Sequence, residues 1–476
     1  MKKLLSIAAL FAALSFVIVS CKKDDDNGDG NNNNTAVELT GDLTTRTLTA
    51  DKKYLLKGQV FVRSGQVLTI EPGTVILGDK RTKGTLIIDR GGKIEANGTV
   101  DKPIIFTSSL EKGLRDRGDW GGLVILGNAP CNQIDPAVEG ITPAAIFGAN
   151  PANNTSAKVA IEDENSGTLR YVRVEFAGIE LTPNNETNSI TAGGIGRGTT
   201  MEYCQVSFGG DDGFEFFGGT QNAKYLISFC TWDDDFDIDY GWSGNLQFGV
   251  AIRYPSFADQ SQSNGIETDN GPNDNDVQPY TTGVLSNITL LGPIVSGTSN
   301  SVQNNAYAGD FRRRTALSVF NSVMAGFRFG IRFNQASVLG QYQNGVGVLA
   351  NNILIAPAST YNAGSGVAVA DVKAYWEDAA NNNTSIEGAV DDAKYTAAGL
   401  KSDWFFGSRL AENYPTSPNF TVTSGTAATG ASFAHPKFSE PNRANFFNKT
   451  VAYRGAFGTT DWTDGWAEFN PVNKDY

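Results

Sequence analysis

The segment Gly209 to Asp239 reads GGDDGFEFFGGTQNAKYLISFCTWDDDFDID, and it matches itself when displaced by one repeat. The shift that lays Asp211 on Asp233 also lays Asp212 on Asp234, Phe214 on Phe236, Glu215 on Asp237 and Phe216 on Ile238. A period of roughly 20–30 residues with side chains in register marks a solenoid, in which each coil stacks on the last. Downstream, Ile266, Glu267 and Asp269 fall on Phe236, Asp237 and Asp239, and upstream the pattern reaches weakly to Glu180.

Side chains alternate between the two faces of a strand. That alternation turns Phe214, Phe216, Phe236, Ile238 and Ile266 inward and leaves Glu215, Asp237, Asp239, Glu267 and Asp269 outward. Parallel coils stack about 4.8 Å apart, and two carboxylates at that spacing repel by roughly 3 kcal/mol at an effective dielectric of about 20. A file of them needs a cation, a basic partner or raised pKa values. Asp211, Glu215, Asp233, Asp235, Asp237, Asp239, Glu267 and Asp269 offer hard oxygen donors, which suit Ca²⁺ better than a softer metal. None of them lies in an EF-hand loop.

Composition supports an all-β chain. Of 476 residues 40% are hydrophobic, 53 are glycine and only 19% are charged, which fits many short strands and tight turns. A net charge of -13 argues against nucleic acid or anionic lipid as the main partner and favours cations, neutral glycans or basic surfaces. After Cys21 come Cys131, Cys204 and Cys230, an odd number without CxxC spacing. The repeat puts Cys204 over Leu226 and Cys230 beneath Phe208, out of step with each other, so they read as small core residues rather than a disulfide. No organic cofactor is indicated: Gly193-Gly194-Ile195-Gly196 lacks a P-loop lysine. The one histidine, His435, precedes a proline in a turn-rich tail and has no GxSxG companion.

The chain opens with Met1-Lys2-Lys3 and an apolar run from Leu4 to Val19, the form of an export signal over residues 1–20. Ile18-Val19-Ser20-Cys21 resembles the bacterial lipobox, which implies lipidation of Cys21. Lys22-Lys23-Asp24-Asp25-Asp26 is similar to the surface-export signal of Bacteroidota lipoproteins, and the Asn-, Gly- and Asp-rich stretch after it completes a tether over residues 21–36. By that resemblance the protein sits on the outer membrane, lipid-anchored and facing outward.

From Val60 three short apolar strands recur per coil, at Val60 to Val62, Leu68 to Ile70 and Val75 to Leu77, with Leu86 to Ile88 and Lys93 to Ala96 repeating the first two. Three strands per coil predict a right-handed parallel β-helix over residues 37–400. Residues 128–165 break the pattern as an insertion or long loop. Tyr171, Tyr203, Tyr225, Asn287, Asn321 and Asn352 are expected at one repeated turn, where Asn could pass hydrogen bonds between coils. Short helices are expected at Asp371 to Ala380 and Asp391 to Leu400, and residues 401–476 as a C-terminal cap. The phrases VLTIEPGTVI, GTLIIDRGGKIEANGT, DKPIIFTS and GDWGGLVILGNAP resemble β-helical surface proteins of the Bacteroidota, a family whose likeness implies architecture and address but no catalytic residues.

Function divides between binding and catalysis. Trp232, Tyr240, Trp242, Tyr254 and Phe257 flank the acids and could form a sugar-stacking platform, so the binding reading is a non-catalytic surface for a polysaccharide or an envelope protein, stiffened by calcium. For catalysis, Asp237 with Asp235 or Asp239 could give the separation of an inverting glycosidase. The GGDD at Gly209 to Asp212 is similar to the double Asp of polygalacturonase-type β-helices, although the companion His and Arg-x-Lys of that family lack counterparts. A lyase would need Arg253 or one of Arg312, Arg313 and Arg314 as base.

Overall fold

The computed structural model describes residues 36–153, 159–183, 185–294, 304–357, 359–400 and 418–476. Cys21, the leader and the tether lie outside these residues.

Short apolar runs between glycine-rich turns cannot bury themselves locally, so each strand pairs with its counterpart one coil away. The result is a right-handed parallel β-helix with three sheets. The first sheet stacks Gly122–Leu126, Ile190–Gly193, Phe214–Phe217, Phe236–Asp239, Ile266–Thr268, Tyr307–Phe311 and Phe329–Gln335 in consecutive parallel pairs. Phe214, Phe216, Phe236, Ile238 and Ile266 face the core and are fully buried, as alternation requires. Each contributes about 1.5–3 kcal/mol by leaving water.

The second and third sheets share strands. Thr200–Ser207, Asn222–Phe229, Asn245–Ile252 and Val284–Leu291 each run through both, bent at one residue with positive φ: Tyr203, Tyr225, Phe248 and Asn287. Stacked rings offset the left-handed backbone, with Tyr171, Tyr203 and Tyr225 piled at 4.5 and 4.3 Å. Asn321 and Asn351 continue the bend; Asn351, not Asn352, holds the position. Asn352 does link coils, accepting from Ser322 N and donating to Val319 O at 2.9 Å each. Asn287 and Asn321 also link coils, Asn287 Oδ1 accepting from Gln247 Nε2 and Asn321 Nδ2 donating to Ser286 Oγ at 3.1 Å each, and both donate to the C-terminal segment, at Tyr453 O and Ser432 O.

Outward positions of the first sheet start apolar, with Phe61, Ile87 and Val124 in register. That row needs a cover, and the 128–165 insertion supplies it. Rather than standing out as a loop, it folds a hairpin, Ala137–Val138 with Ala145–Ile146, whose Val138, Ile141 and Phe147 pack on the row. Cys131, Cys204 and Cys230 are buried and form no disulfide with one another, and Cys204 pairs in register with Leu226.

The described tail does not cap the solenoid's end. It lies along the flank, where Trp466 meets Tyr171 and Tyr203 edge-on and Trp462 meets Tyr225. Gln205 and Gln247 side chains each exchange two hydrogen bonds with the tail backbone, at Glu468 and Asn448. The end is covered by helix Val369–Trp376, which puts Val372 and Trp376 into the core. This helix starts earlier than expected, with Asp371 in its first turn, whereas Asp391 caps Asp392–Ala398 as expected. His435 caps a 3-10 turn, its Nδ1 accepting from Lys437 N at 3.2 Å.

Candidate functional site

Two columns of polar residues meet on the first sheet. Its outward position runs Thr191, Glu215, Asp237, Glu267, Asp310, each in register with the next. Two residues before each strand, a corner position runs Asn188, Asp212, Asp234, Asn264. Here side chains hold neighbouring coils together: Asn188 Oδ1 accepts from Asp212 N at 3.3 Å, Asp212 Oδ1 from Asp234 N at 2.8 Å, Asp234 Oδ1 from Asn264 N, and Asn264 Oδ1 from Tyr307 N at 3.0 Å. The corner can nest this closely because Gly178 and Gly210 lack side chains; a Cβ on Gly210 would lie 2.5 Å from Gly178 O.

The columns bring carboxylate oxygens into three overlapping triads. Asp211, Asp212 and Asp233 form one, Asp212, Glu215 and Asp237 the second, and Asp234, Asp237 and Glu267 the third, each with an oxygen from every member within 4.8 Å of the others. The expected vertical file of Glu215, Asp237 and Glu267 is present and faces away from the core. It is largely shielded all the same: Glu215 is 7% and Glu267 9% exposed, with Asp237 half-buried between them. Asn188 Nδ2 donates to Glu215 and Asn264 Nδ2 to Glu267 Oε2. Asp233 Oδ1 and Asp237 Oδ1 are buried without a hydrogen-bond partner.

Ion pairing divides the cluster, although burial raises the Glu267 and Asp310 pKa values as it does those of the unpaired acids. Glu267 and Asp269 bind Arg312, Asp269 also binds Arg313 at 2.7 Å, and Asp310 binds Arg332. Among the described residues no Lys or Arg side chain forms an ion pair with Asp211, Asp212, Glu215, Asp233, Asp234, Asp237 or Asp239. Burial, then the Asp269 charge, pushes Asp237 up to about 7, against the pull of Arg312. Burial and Asp259 push Asp233 up to about 6. Asp211, Asp212, Glu215, Asp234 and Asp239 are all held well above the usual carboxylate range, by burial first and neighbouring carboxylates second.

Beside the first triad opens a cleft of about 500 Å³ lined by Glu186, Asp211, Trp232, Asp233, Asp259 and Ser261. Trp232 Nε1 donates to Asp259 Oδ1 at 3.1 Å. Of the expected aromatic platform, only Trp232 lines this cleft. Trp242 is a core residue stacked on Phe216 at 5.5 Å. Tyr240 packs under the insertion against Phe217 and Phe147. Tyr254 and Phe257 stack beyond Trp232.

Asp235 and Arg253 also leave the site. Both are fully buried and paired at 3.1 Å, and Asp235 accepts further bonds from Ser228 and Thr231. A carboxylate so committed is a structural strut, so neither residue is placed as ligand, acid or base. Glu180 lies on an outer hairpin strand, and Asn188 takes the corner position over Asp212 expected of it. Asp212 and Asp234 had been visible in the repeat without being counted as ligands; Asn188 and Asn264 sit at the same offset before Ile190 and Ile266. That offset was the available signal.

Residues 41–404 match the family model described as "Pectate-lyase like beta helix domain". The chain belongs to that family. The pectate-lyase-like β-helix domain spans nearly all the described coils, including the acidic columns. A solved structure described as "Crystal structure of pectate lyase Pel9A" is similar over 88% of this chain and 98% of that one, at 10% identity and a TM-score of 0.35. No curated protein matches the chain significantly.

Proposed function

We propose that this pectate-lyase-like β-helix binds calcium between its two acidic columns and presents the adjoining Trp232 cleft to a polysaccharide, without cleaving it. The observation that carries this reading is the pair of buried, unpartnered oxygens, Asp233 Oδ1 and Asp237 Oδ1, amid seven carboxylates that no Lys or Arg pairs with among the described residues. A buried acceptor without a donor costs about 1–3 kcal/mol, more when charged. A hard divalent ion removes that cost for several groups at once and suits an all-oxygen donor set. Asp212, Glu215 and Asp237 would hold it, with Asp211, Asp233 and Asp234 around them.

Binding is favoured over lyase chemistry because Arg312, the guanidinium beside Asp237, is pinned to Glu267 and Asp269 and its pKa is driven upward by them. A base must give up its proton, and these contacts hold it. The leader and Cys21 support display on the outer membrane through a lipid anchor, where a polysaccharide or an envelope protein is the partner.

The test is a polysaccharide panel in calcium and in EDTA, followed by binding and by assay for new reducing ends or unsaturated uronate. Calcium-dependent retention without new ends is expected. Cleavage that Asp237→Asn abolishes would overturn the non-catalytic reading.

A further inference from the structure

The cleft that Trp232 lines is braced by a segment far along the chain. Trp232 stacks on Phe257 at 5.5 Å, and the Arg117 guanidinium lies over both rings, 3.7 Å from the Phe257 centre and 4.8 Å from that of Trp232. A cation on an aromatic face is attracted by the ring quadrupole, more strongly where water is excluded. Arg117 is not part of the cleft lining, so it holds Trp232 from outside. Whatever places Arg117 therefore decides how firmly the ring is set.

Arg117 closes a loop, residues 110–117, in which residues 111–114 are exposed. The coils fix the base of this loop: Asp116 N donates to buried Asp119 Oδ2 at 3.0 Å and Gly118 N to Ala177 O at 3.1 Å. Its outer turn is held by residues 471–476 of the flanking tail. Gly113 N donates to Val472 O at 2.7 Å, Arg115 donates to Pro471 O and Lys474 O at 3.1 and 2.9 Å, and Lys112 pairs with Asp475 at 2.6 Å. Arg115 also reaches back to Leu110 O at 3.0 Å, which ties the ends of the turn together.

The tail segment is anchored in its turn. The Tyr476 hydroxyl stands 2.6 and 2.7 Å from the two oxygens of Glu175, a carboxylate only 1% exposed, and Arg115 lies 4.9 Å from the centre of the Tyr476 ring. A hydrogen bond to a buried charge outweighs a surface ion pair such as Lys112 with Asp475. Tyr476 is thus the fixed point of the segment, and Arg115 its link to the loop.

We propose that Tyr476 and Arg115 are positioning residues for the Trp232 cleft: Tyr476 anchors the tail on Glu175, Arg115 joins the tail to the 110–117 loop, and the loop sets Arg117 on the ring that meets the polysaccharide. The ligand in this statement rests on the binding reading; the linkage from Tyr476 to Trp232 does not.

Fluorine NMR of protein labelled with fluorotryptophan tests the linkage, with Trp232→Phe assigning the Trp232 resonance. Tyr476→Phe keeps the ring and removes the hydroxyl, and Arg115→Gln removes the charge. Each is expected to shift or broaden the Trp232 resonance while those of the core residues Trp120, Trp242 and Trp376 stay in place. Each is also expected to weaken polygalacturonate, titrated in calcium, about tenfold, with calcium alone bound as by wild type. Arg115→Lys, which keeps the charge and still reaches a tail carbonyl, is expected to restore most of the affinity. A Trp232 resonance unmoved in both variants would overturn the proposal. So would equal movement of the core tryptophans, which marks general loosening. If wild type binds no polygalacturonate, the choice of ligand falls, and the Trp232 resonance still decides the linkage.

Discussion

Glu267 and Asp310 stand one and two coils beyond Asp237 in the same outward file, and each carries its own arginine, whereas Glu215 and Asp237 carry none. Backbone and register are alike in the two halves. The chemistry is not. Where Arg312, Arg313 and Arg332 lean onto the acids, the row is a set of internal ion pairs. Where they are lacking, like charges are packed together with no Lys or Arg ion-paired to them among the described residues, an arrangement costly to keep unless something else binds there; burial raises carboxyl pKa values in both halves, at Glu267 and Asp310 as well. A third stretch of the same row, Phe61, Ile87 and Val124, shows what purely structural positions look like: apolar and covered by the insertion.

Arg312→Ala should erase the contrast. It strips Glu267 and Asp269 of their shared partner, and urea denaturation in EDTA should show a loss of about 3 kcal/mol, the scale for breaking a shielded pair. Calcium should recover part of that loss, because the arginine-paired half then resembles the unpaired one. An equal loss with and without calcium would mean that the two halves do not share one electrostatic design.

Calcium added to wild type should stabilise it by about 2.7 kcal/mol at a hundred times its Kd, read from the same urea curves. The effect should depend on pH. Asp233 and Asp237 titrate near 6 and 7 when folded, above ordinary unfolded Asp, so the folded state retains protons that the unfolded chain releases. Metal-free stability is therefore greatest in acid and falls as pH rises through about 6 and 7. Calcium must displace those protons, so its affinity should climb about tenfold per pH unit over that window, or about 1.4 kcal/mol, if one proton leaves per ion. A flat profile by calorimetry from pH 5 to 8 would disconnect the raised pKa values from the site.

Much of this architecture was legible in the residues. The in-register displacement of Phe214 onto Phe236 and Glu215 onto Asp237 follows from side-chain alternation, which a parallel coil enforces over long distances. Alternation holds only inside strands, and there the reading stopped. Asp235 stands just before its strand, where the chain turns, and its carboxylate meets Arg253 rather than the file. Trp242 looked like a platform residue because polar neighbours flank it, yet its ring fills the core over Phe216. Asn188 and Asn264 carry no charge, so charge patterning does not mark them, although they continue the ladder of Asp212 and Asp234. The tail's place on the flank depends on Gln205, Gln247 and Asn321 exchanging hydrogen bonds with residues far along the chain, and no periodicity encodes such pairs.

Asp237→Asn gives the most direct measurement. The substitution removes one charge from the centre of two triads and keeps its shape. In EDTA at pH 8 the variant should be more stable than wild type by about 1 kcal/mol, since a buried, uncompensated charge is gone, and it should lose most of the stabilisation that calcium gives the wild type. A variant that is weaker than wild type in EDTA yet gains as much from calcium would contradict the account.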